Sequence, residues 1–404
     1  MEPWIFQPGY PAILVRREGD VIHLTQHRFA PSIPDDETTW PVPLIVRQVL
    51  PEGELVEHVL VEAAGLDLPL AHPEALVVAN AGATAFVRTF YDGELHAQLV
   101  DRALVDLAPG ERQSLVDDTW AAVVAGNAPI SSYLDLVLGF AEETVPSVWQ
   151  TIFTGLRWCD RFVEGEAREG FRAAVRALVR PSLERLGWEP RDHDTYPDRE
   201  LRGDLIRALG ILGDDREAQA MAREDEARSR AGHPVDPAIA SAAVDIVAFL
   251  GGPRDYDVFL ARMDQAGTPQ EQDRYRFALP AFRDPDLMQR TLDLAASDAV
   301  RSQDAPYLLQ VALMNRELGE MAWTFVRDHW NELVPGFSQP NVIALAQGAR
   351  WLTAPEQVAD VQAFFAEHDI PQSHLTLVQA MERQRLFAVL RARVTADLTA
   401  RFSG

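Results

Sequence analysis

The 404-residue chain contains no lysine, so all 37 of its basic residues are arginine. That absence removes a Schiff-base lysine, a phosphate-loop lysine and a lysine general base from any mechanism the chain can run. Arginine used to the exclusion of lysine also points to a GC-rich genome, and we expect a bacterial source. Cysteine is nearly missing as well. Cys159 alone permits no internal disulfide and no cysteine-built zinc cage, and a small apolar role between Trp158 and Asp160 accounts for it. Positive charge is scarce: 61 acidic residues against 37 basic ones give a formal charge of -24, which repels nucleic acid and anionic lipid and excludes both as expected partners. No stretch approaches the roughly 18 uninterrupted apolar residues of a membrane span, and the N-terminus has no basic-then-apolar signal region. A cytoplasmic location without membrane contact is the corresponding expectation.

Apolar residues make up 47% of the chain, enough for the cores of two or three domains. Alternation and β-branched content predict strands over 12–17, 21–29, 44–49, 55–62, 75–78 and 84–91, separated by turns such as Glu18-Gly19-Asp20. Six short strands without an intervening helix imply a small antiparallel β-sandwich over residues 1–92. Beyond about residue 95 the period is helical. Thr268-Pro269-Gln270-Glu271 and Thr353-Ala354-Pro355-Glu356 both read as capping boxes, with a hydroxyl first and a glutamate three residues later. Leu318, Met321, Ala322, Phe325, Val326, Trp330 and Leu333 recur at spacings of three and four and predict one amphipathic helix over 318–334. A dozen or so helices in series imply an all-α, HEAT-like superhelix, an α-solenoid, over residues 93–404.

Candidate chemistry is thin. His23 and His27 have the spacing of the zinc signature HExxH, but Leu24 stands where its glutamate belongs and the local pattern is extended. Four residues along a strand separate two side chains by about 13 Å, too far to share one ion. The acidic stretch from Asp192 to Glu200 lacks the glycine and acid spacing of an EF-hand loop and reads as a solvated linker before a helix starting near Asp198. Asp117 and Asp118 are adjacent on a helix, point about 100° apart, and are expected to pair with Arg112 rather than act jointly on a substrate. Ser131-Ser132 has no GxSxG context, and no GxGxxG loop follows a strand. Trp149, Trp158, Trp323, Trp330 and Trp351 lie on apolar faces and read as helix packing. These residues assemble neither a catalytic site nor a metal site.

Four separated segments, in order, resemble the C-terminal region of the aminopeptidase N-like zinc metallopeptidases, the family that includes the endoplasmic-reticulum aminopeptidases. Met1, Trp4, Gln7, Gly9, Tyr10 and Pro11 match the family's entry into its β-sandwich, with Gln26 and Phe29 suiting the second strand. The run Asn80 to Asp92 is similar to a family strand, with Asn80, Gly82, Arg88, Tyr91 and Asp92 in place; Ala85 replaces a glycine and Val87 an aromatic residue. Arg112, Leu115, Asp117 and Asp118 suit one family helix, and Ala322, Trp323, Phe325, Trp330 and Leu333 another.

The resemblance implies a β-sandwich followed by a helical bowl that caps a peptide chamber. It also implies an N-terminal catalytic domain of the same enzyme as partner, a peptide as substrate, and zinc in that other domain, with no cofactor in this chain. The family's HExxH and its substrate-amine motif belong to segments that do not occur here, so no catalytic residue carries over. The expected role is the non-catalytic C-terminal region of an aminopeptidase, shaping and gating the chamber. The other reading is a stand-alone helical-repeat module that binds a peptide or protein. Arg316, in the Met314-Asn315-Arg316 turn, is the candidate contact to a peptide carboxylate; an ion pair with Glu317 or Glu320 competes for it.

Overall fold

The computed structural model describes residues 2–30 and 38–403, so Met1 of the family-like entry lies outside the described residues. A short helix, α1 (Glu2–Phe6), precedes seven strands: β1 (Pro11–Glu18), β2 (Val21–Arg28), β3 (Val42–Val49), β4 (Glu54–Val61), β5 (Leu66–Pro69), β6 (Leu76–Val78) and β7 (Arg88–Tyr91). They form two sheets, ordered β5-β2-β1-β7 and β4-β3-β6. Alternate residues Ile13, Val15, Ile22 and Leu24 of the first sheet meet Val42, Leu44 and Val46 of the second in one buried core, which produces the sandwich.

The strand expectations are met with three corrections. β5 has no counterpart in the expected set, because four residues ending in Leu68-Pro69 are too few to show a period. The expected strand over 84–91 shrinks to β7, since residues 84–87 continue the turn that begins at Ala81 and that Asn80 fastens to Ala85. The pairing of β1 with β7 is parallel, in a sheet that is otherwise antiparallel.

Seventeen α-helices follow the strands among the described residues, forming the α-solenoid. The first four are α2 (Gly93–Asp106), α3 (Pro109–Ala125), α4 (Ile130–Leu138) and α5 (Pro146–Phe162). Next come α6 (Ala167–Leu186), α7 (Tyr196–Arg207), α8 (Arg216–Arg230), α9 (Pro237–Leu250), α10 (Pro253–Gln265), α11 (Pro269–Ala278) and α12 (Pro285–Ala295). The series closes with α13 (Ala305–Met314), α14 (Gly319–Asp328), α15 (Trp330–Leu333), α16 (Gln339–Ala349), α17 (Pro355–Glu367) and α18 (His374–Phe402). No helix among the described residues is long and apolar enough to cross a membrane.

The chain divides into two compact units, Met1–Asp160 with Arg180–Ser182, and Arg161–Val179 with Leu183–Gly404. The first therefore contains the sandwich together with α2, α3 and α4.

Helix starts in the second unit follow local chemistry. Thr268 caps α11 by accepting the Glu271 N–H at 3.2 Å, as its sequence indicates. The other expected capping box is displaced by one residue: Ala354 is the N-cap of α17, and Gln357, not Glu356, reaches back to its N–H at 3.2 Å. Thr353 is buried instead. The single helix expected over 318–334 is two, broken at His329, whose Nδ1 lies 2.9 Å from the Phe325 carbonyl. Their apolar faces still belong to one core, in which Trp323 and Trp330 pack against Phe364 and Phe365.

Candidate functional site

The family-like residues of the first unit build a joint between β7 and α3. Asn80 fastens the turn before β7 with two bonds: its Nδ2 donates to the Ala85 carbonyl at 3.1 Å, and its Oδ1 accepts the Ala85 N–H at 3.0 Å. Gly82 sits at φ 70°, a left-handed conformation that costs other residues strain, and gives its N–H to Glu111 at 2.8 Å. Tyr91 accepts the Ala79 N–H on its hydroxyl at 3.0 Å, and burial pushes its phenol up to about 12. Asp92 does two jobs, accepting the Arg17 N–H at 2.7 Å and capping α2 through the Leu95 N–H at 2.9 Å.

Asp117 and Asp118 pair with Arg88, not Arg112. Both carboxylates accept from the same Arg88 Nη1, the Asp118 bond at 3.0 Å, and Asp118 also accepts the Thr89 hydroxyl at 2.7 Å and the Thr89 N–H at 2.8 Å. The 100° between adjacent helical positions does not prevent this, because a guanidinium lying across the helix surface presents one nitrogen to both. Arg112 instead makes a buried two-pronged pair with Glu143, at 2.6 Å and 2.9 Å. Burial outweighs these partners at Asp118 and raises its carboxyl to about 6.

The remaining candidates are placed as follows. Trp4 lies in α1, donating its indole N–H to the Pro41 carbonyl at 3.1 Å, while Trp40 returns one to Pro3 at 3.2 Å. Gly9 holds φ 90° and turns the chain toward Pro11, the first residue of β1. Trp323 is buried and donates to Asp360 at 2.6 Å; Trp330 is buried beside it. Arg316 donates to Glu317 at 2.7 Å, in a turn held by Asn315, whose side chain accepts the Glu317 and Leu318 N–H groups. The acidic stretch is less free than a linker: Asp194 accepts from the fully buried Arg202, and Thr195 caps α7 by accepting the N–H of Asp198, three residues on. Cys159 is buried and its thiol is pushed up by that burial, away from thiolate chemistry.

Zinc does not fit the residues present. Among the described residues no three His, Cys, Asp or Glu side chains are grouped to hold an ion. His23 and His27 lie on the extended β2, and His23 is engaged by Asp67 at 2.7 Å.

Sequence reasoning missed a sizeable concavity. A cavity of about 660 Å³ lies in the first unit, over the outward face of the β1–β2–β7 sheet. Leu14, Arg16, His27 and Phe90 form its floor, Thr119 and Ala122 of α3 one wall, and Asn127 and Ser132 its far side. His96 of α2 lies within 3.2 Å of the Thr119 hydroxyl, and burial lowers both His96 and His27, so their imidazoles are neutral near pH 7. One signal for it stands in the sequence: Ala12-Ile13-Leu14-Val15 is apolar on both faces of a strand, which means a second layer covers the face turned away from the sandwich core.

Comparison with known proteins gives a consistent picture. The family described as "ERAP1-like C-terminal domain" matches residues 76–386. Aminopeptidase M1-A of Oryza sativa subsp. japonica is 26% identical, covering 98% of this chain and 47% of its own length. Aminopeptidase M1 of Arabidopsis thaliana is 25% identical, covering 96% and 47%. The alanine/arginine aminopeptidase of Saccharomyces cerevisiae is 24% identical, covering 95% and 46%. The chain thus spans about half the length of the curated relatives it matches.

Proposed function

Because the chain belongs to the ERAP1-like C-terminal domain family of the aminopeptidases, we propose that it is the non-catalytic C-terminal region of such an enzyme. Its role is to shape and gate a peptide chamber over a zinc-bearing catalytic domain of the same polypeptide. The supporting observation is coverage: nearly the whole chain aligns with about half of proteins named aminopeptidases, and the family it matches is described as a C-terminal domain. The joint around Arg88, Asp117 and Asp118 and the buried Arg112–Glu143 pair suit a rigid support, since every family-like charged group there is engaged by another protein group. In this reading the helical unit takes up the distal part of a peptide, and Arg316, released from Glu317, meets its carboxylate.

Two measurements test the proposal. The coding sequence joined to residues 1–404 should specify a domain bearing HExxH; a stop codon and separate promoter there would leave the stand-alone binding module as the reading. In the intact enzyme, Arg316→Gln should raise KM for longer peptides several-fold while leaving aminoacyl-anilide hydrolysis unchanged. Equal kinetics on both substrates would remove Arg316 from peptide recognition.

A further inference from the structure

We propose that the cavity on the outward face of the β1–β2–β7 sheet is a binding site for a small amphipathic monocarboxylate, with an aryl or branched-alkyl body and one carboxylate. The site belongs to the first unit alone and does not depend on the aminopeptidase reading.

Its volume, about 660 Å³, falls within the roughly 300–1,000 Å³ usual for small-molecule pockets. The interior is apolar: Leu14 and Phe90 of the sheet face Ala122 of α3, and a ligand body there replaces water over carbon surface. The mouth is polar. Exposed Arg16 lies at it and, among the described residues, its side chain makes no hydrogen bond or ion pair, in a chain whose arginines are mostly engaged by acids. The Asn127 carboxamide and the Ser132 hydroxyl are likewise without side-chain partners, and the His27 ring makes only an aromatic contact, 6.5 Å from Phe90.

Ligand class follows from this distribution. A single guanidinium at the rim donates two N–H bonds to one carboxylate while the anion keeps part of its hydration, so the desolvation cost stays small. The only other charged side chain lining the cavity is Asp92, already capping α2, and with neutral histidines the lining disfavours a phosphate dianion. The hydroxyl, carboxamide and imidazole are left to orient the ligand by neutral hydrogen bonds. Carboxylate, apolar body and size together define the occupant.

The test titrates 3-phenylpropionate into the intact 404-residue chain by calorimetry or NMR, with 3-phenylpropanamide as the uncharged control. Saturable binding of the acid is expected, weakened about tenfold or more by the amide and by Arg16→Gln. Arg16 is on the surface, so that variant keeps the fold. Ala122→Trp, which fills the cavity, should abolish binding; its thermal midpoint is checked alongside, and Asn127→Ala serves as the milder second variant with a loss of a few-fold. No saturation up to roughly 10 mM overturns the proposal, since such weak association is not a site. Equal binding of acid and amide, unchanged by Arg16→Gln, overturns the assigned ligand class.

Discussion

The two compact units place charge and apolar surface differently. In the first, the sheets are tied to α3 by charge, Arg88 between Asp117 and the buried Asp118 and Arg47 on Glu111, and α3 is tied to the segment after α4 by the buried Arg112–Glu143 pair. In the second, broad apolar and aromatic faces dominate, as where Trp323, Trp330, Phe364 and Phe365 share one core, with charge pairs such as Arg207 on Asp245 and Arg276 on Asp304 set among them. The contrast follows from geometry. The edge strand β7 and the 3-10 turn that precedes it leave backbone N–H groups without a ladder partner, and side-chain carboxylates satisfy them, as Asp118 does for Thr89 and Glu111 for Gly82. Successive helices satisfy most of their own backbone groups, and side chains meet helix-end carbonyls there too, as Gln384 donates to those of Ala349 and Leu352.

Breaking the charge network should therefore be the costliest single change. Glu143→Ala leaves the Arg112 guanidinium, whose side chain is 10% exposed, without its partner, and frees the Thr144 and Val145 N–H groups that the carboxylate also accepts. A loss of about 3–5 kcal/mol is expected in denaturant unfolding. Hydrogen exchange should show it first in the first unit, with α13 to α17 protected as before.

Trp323→Ala tests the other side of the comparison. It empties a buried aromatic site and removes the bond to Asp360, for about 3 kcal/mol, and its loss of protection should appear in α14, α15 and α17. Equal loss of protection in both units from either variant would mean that they unfold as one, and the contrast would have no energetic content.

A smaller effect in the first unit depends on pH. Asp118 has its folded-state pKa raised from 3.8 to about 6 by burial, so the folded form takes up this proton before the unfolded form does. The group's contribution to stability therefore rises as pH falls from 7 through 6 and is complete below about 3.8. Carboxyl NMR should give a midpoint near 6 for Asp118, and the deficit of Asp118→Asn relative to the parent should widen over the same interval. A midpoint below 4 would show that Arg88 and Thr89 outweigh burial. The smallest effect is expected from Arg327→Ala, which removes a pair with Asp360 in which both side chains are more than a third exposed. Less than about 1 kcal/mol should be lost, and added salt should shrink it further.

Much of this architecture is legible in the sequence because period and turn chemistry are local. The sandwich strands declare themselves by alternation, and Thr268 announces α11. Other features depend on distant partners. Nothing near Asp117 and Asp118 says that Arg88, some thirty residues earlier, takes both carboxylates, and the pairing of Arg112 with Glu143 is equally remote. Ala354 in place of Thr353 as the cap of α17 reflects the burial of Thr353, a tertiary fact. The cavity is assembled from three separate stretches, near residues 14–27, 89–96 and 115–132, none of which carries a motif. Only the two-sided apolar run of β1 hints at it.

The most direct test of the assigned role is aminoacyl-anilide hydrolysis by the isolated 404-residue chain with zinc added, alongside circular dichroism to confirm the fold. The expected result is no turnover above the uncatalysed background. Zinc-dependent turnover that a chelator abolishes would contradict it, and would require metal ligands that the described residues do not group.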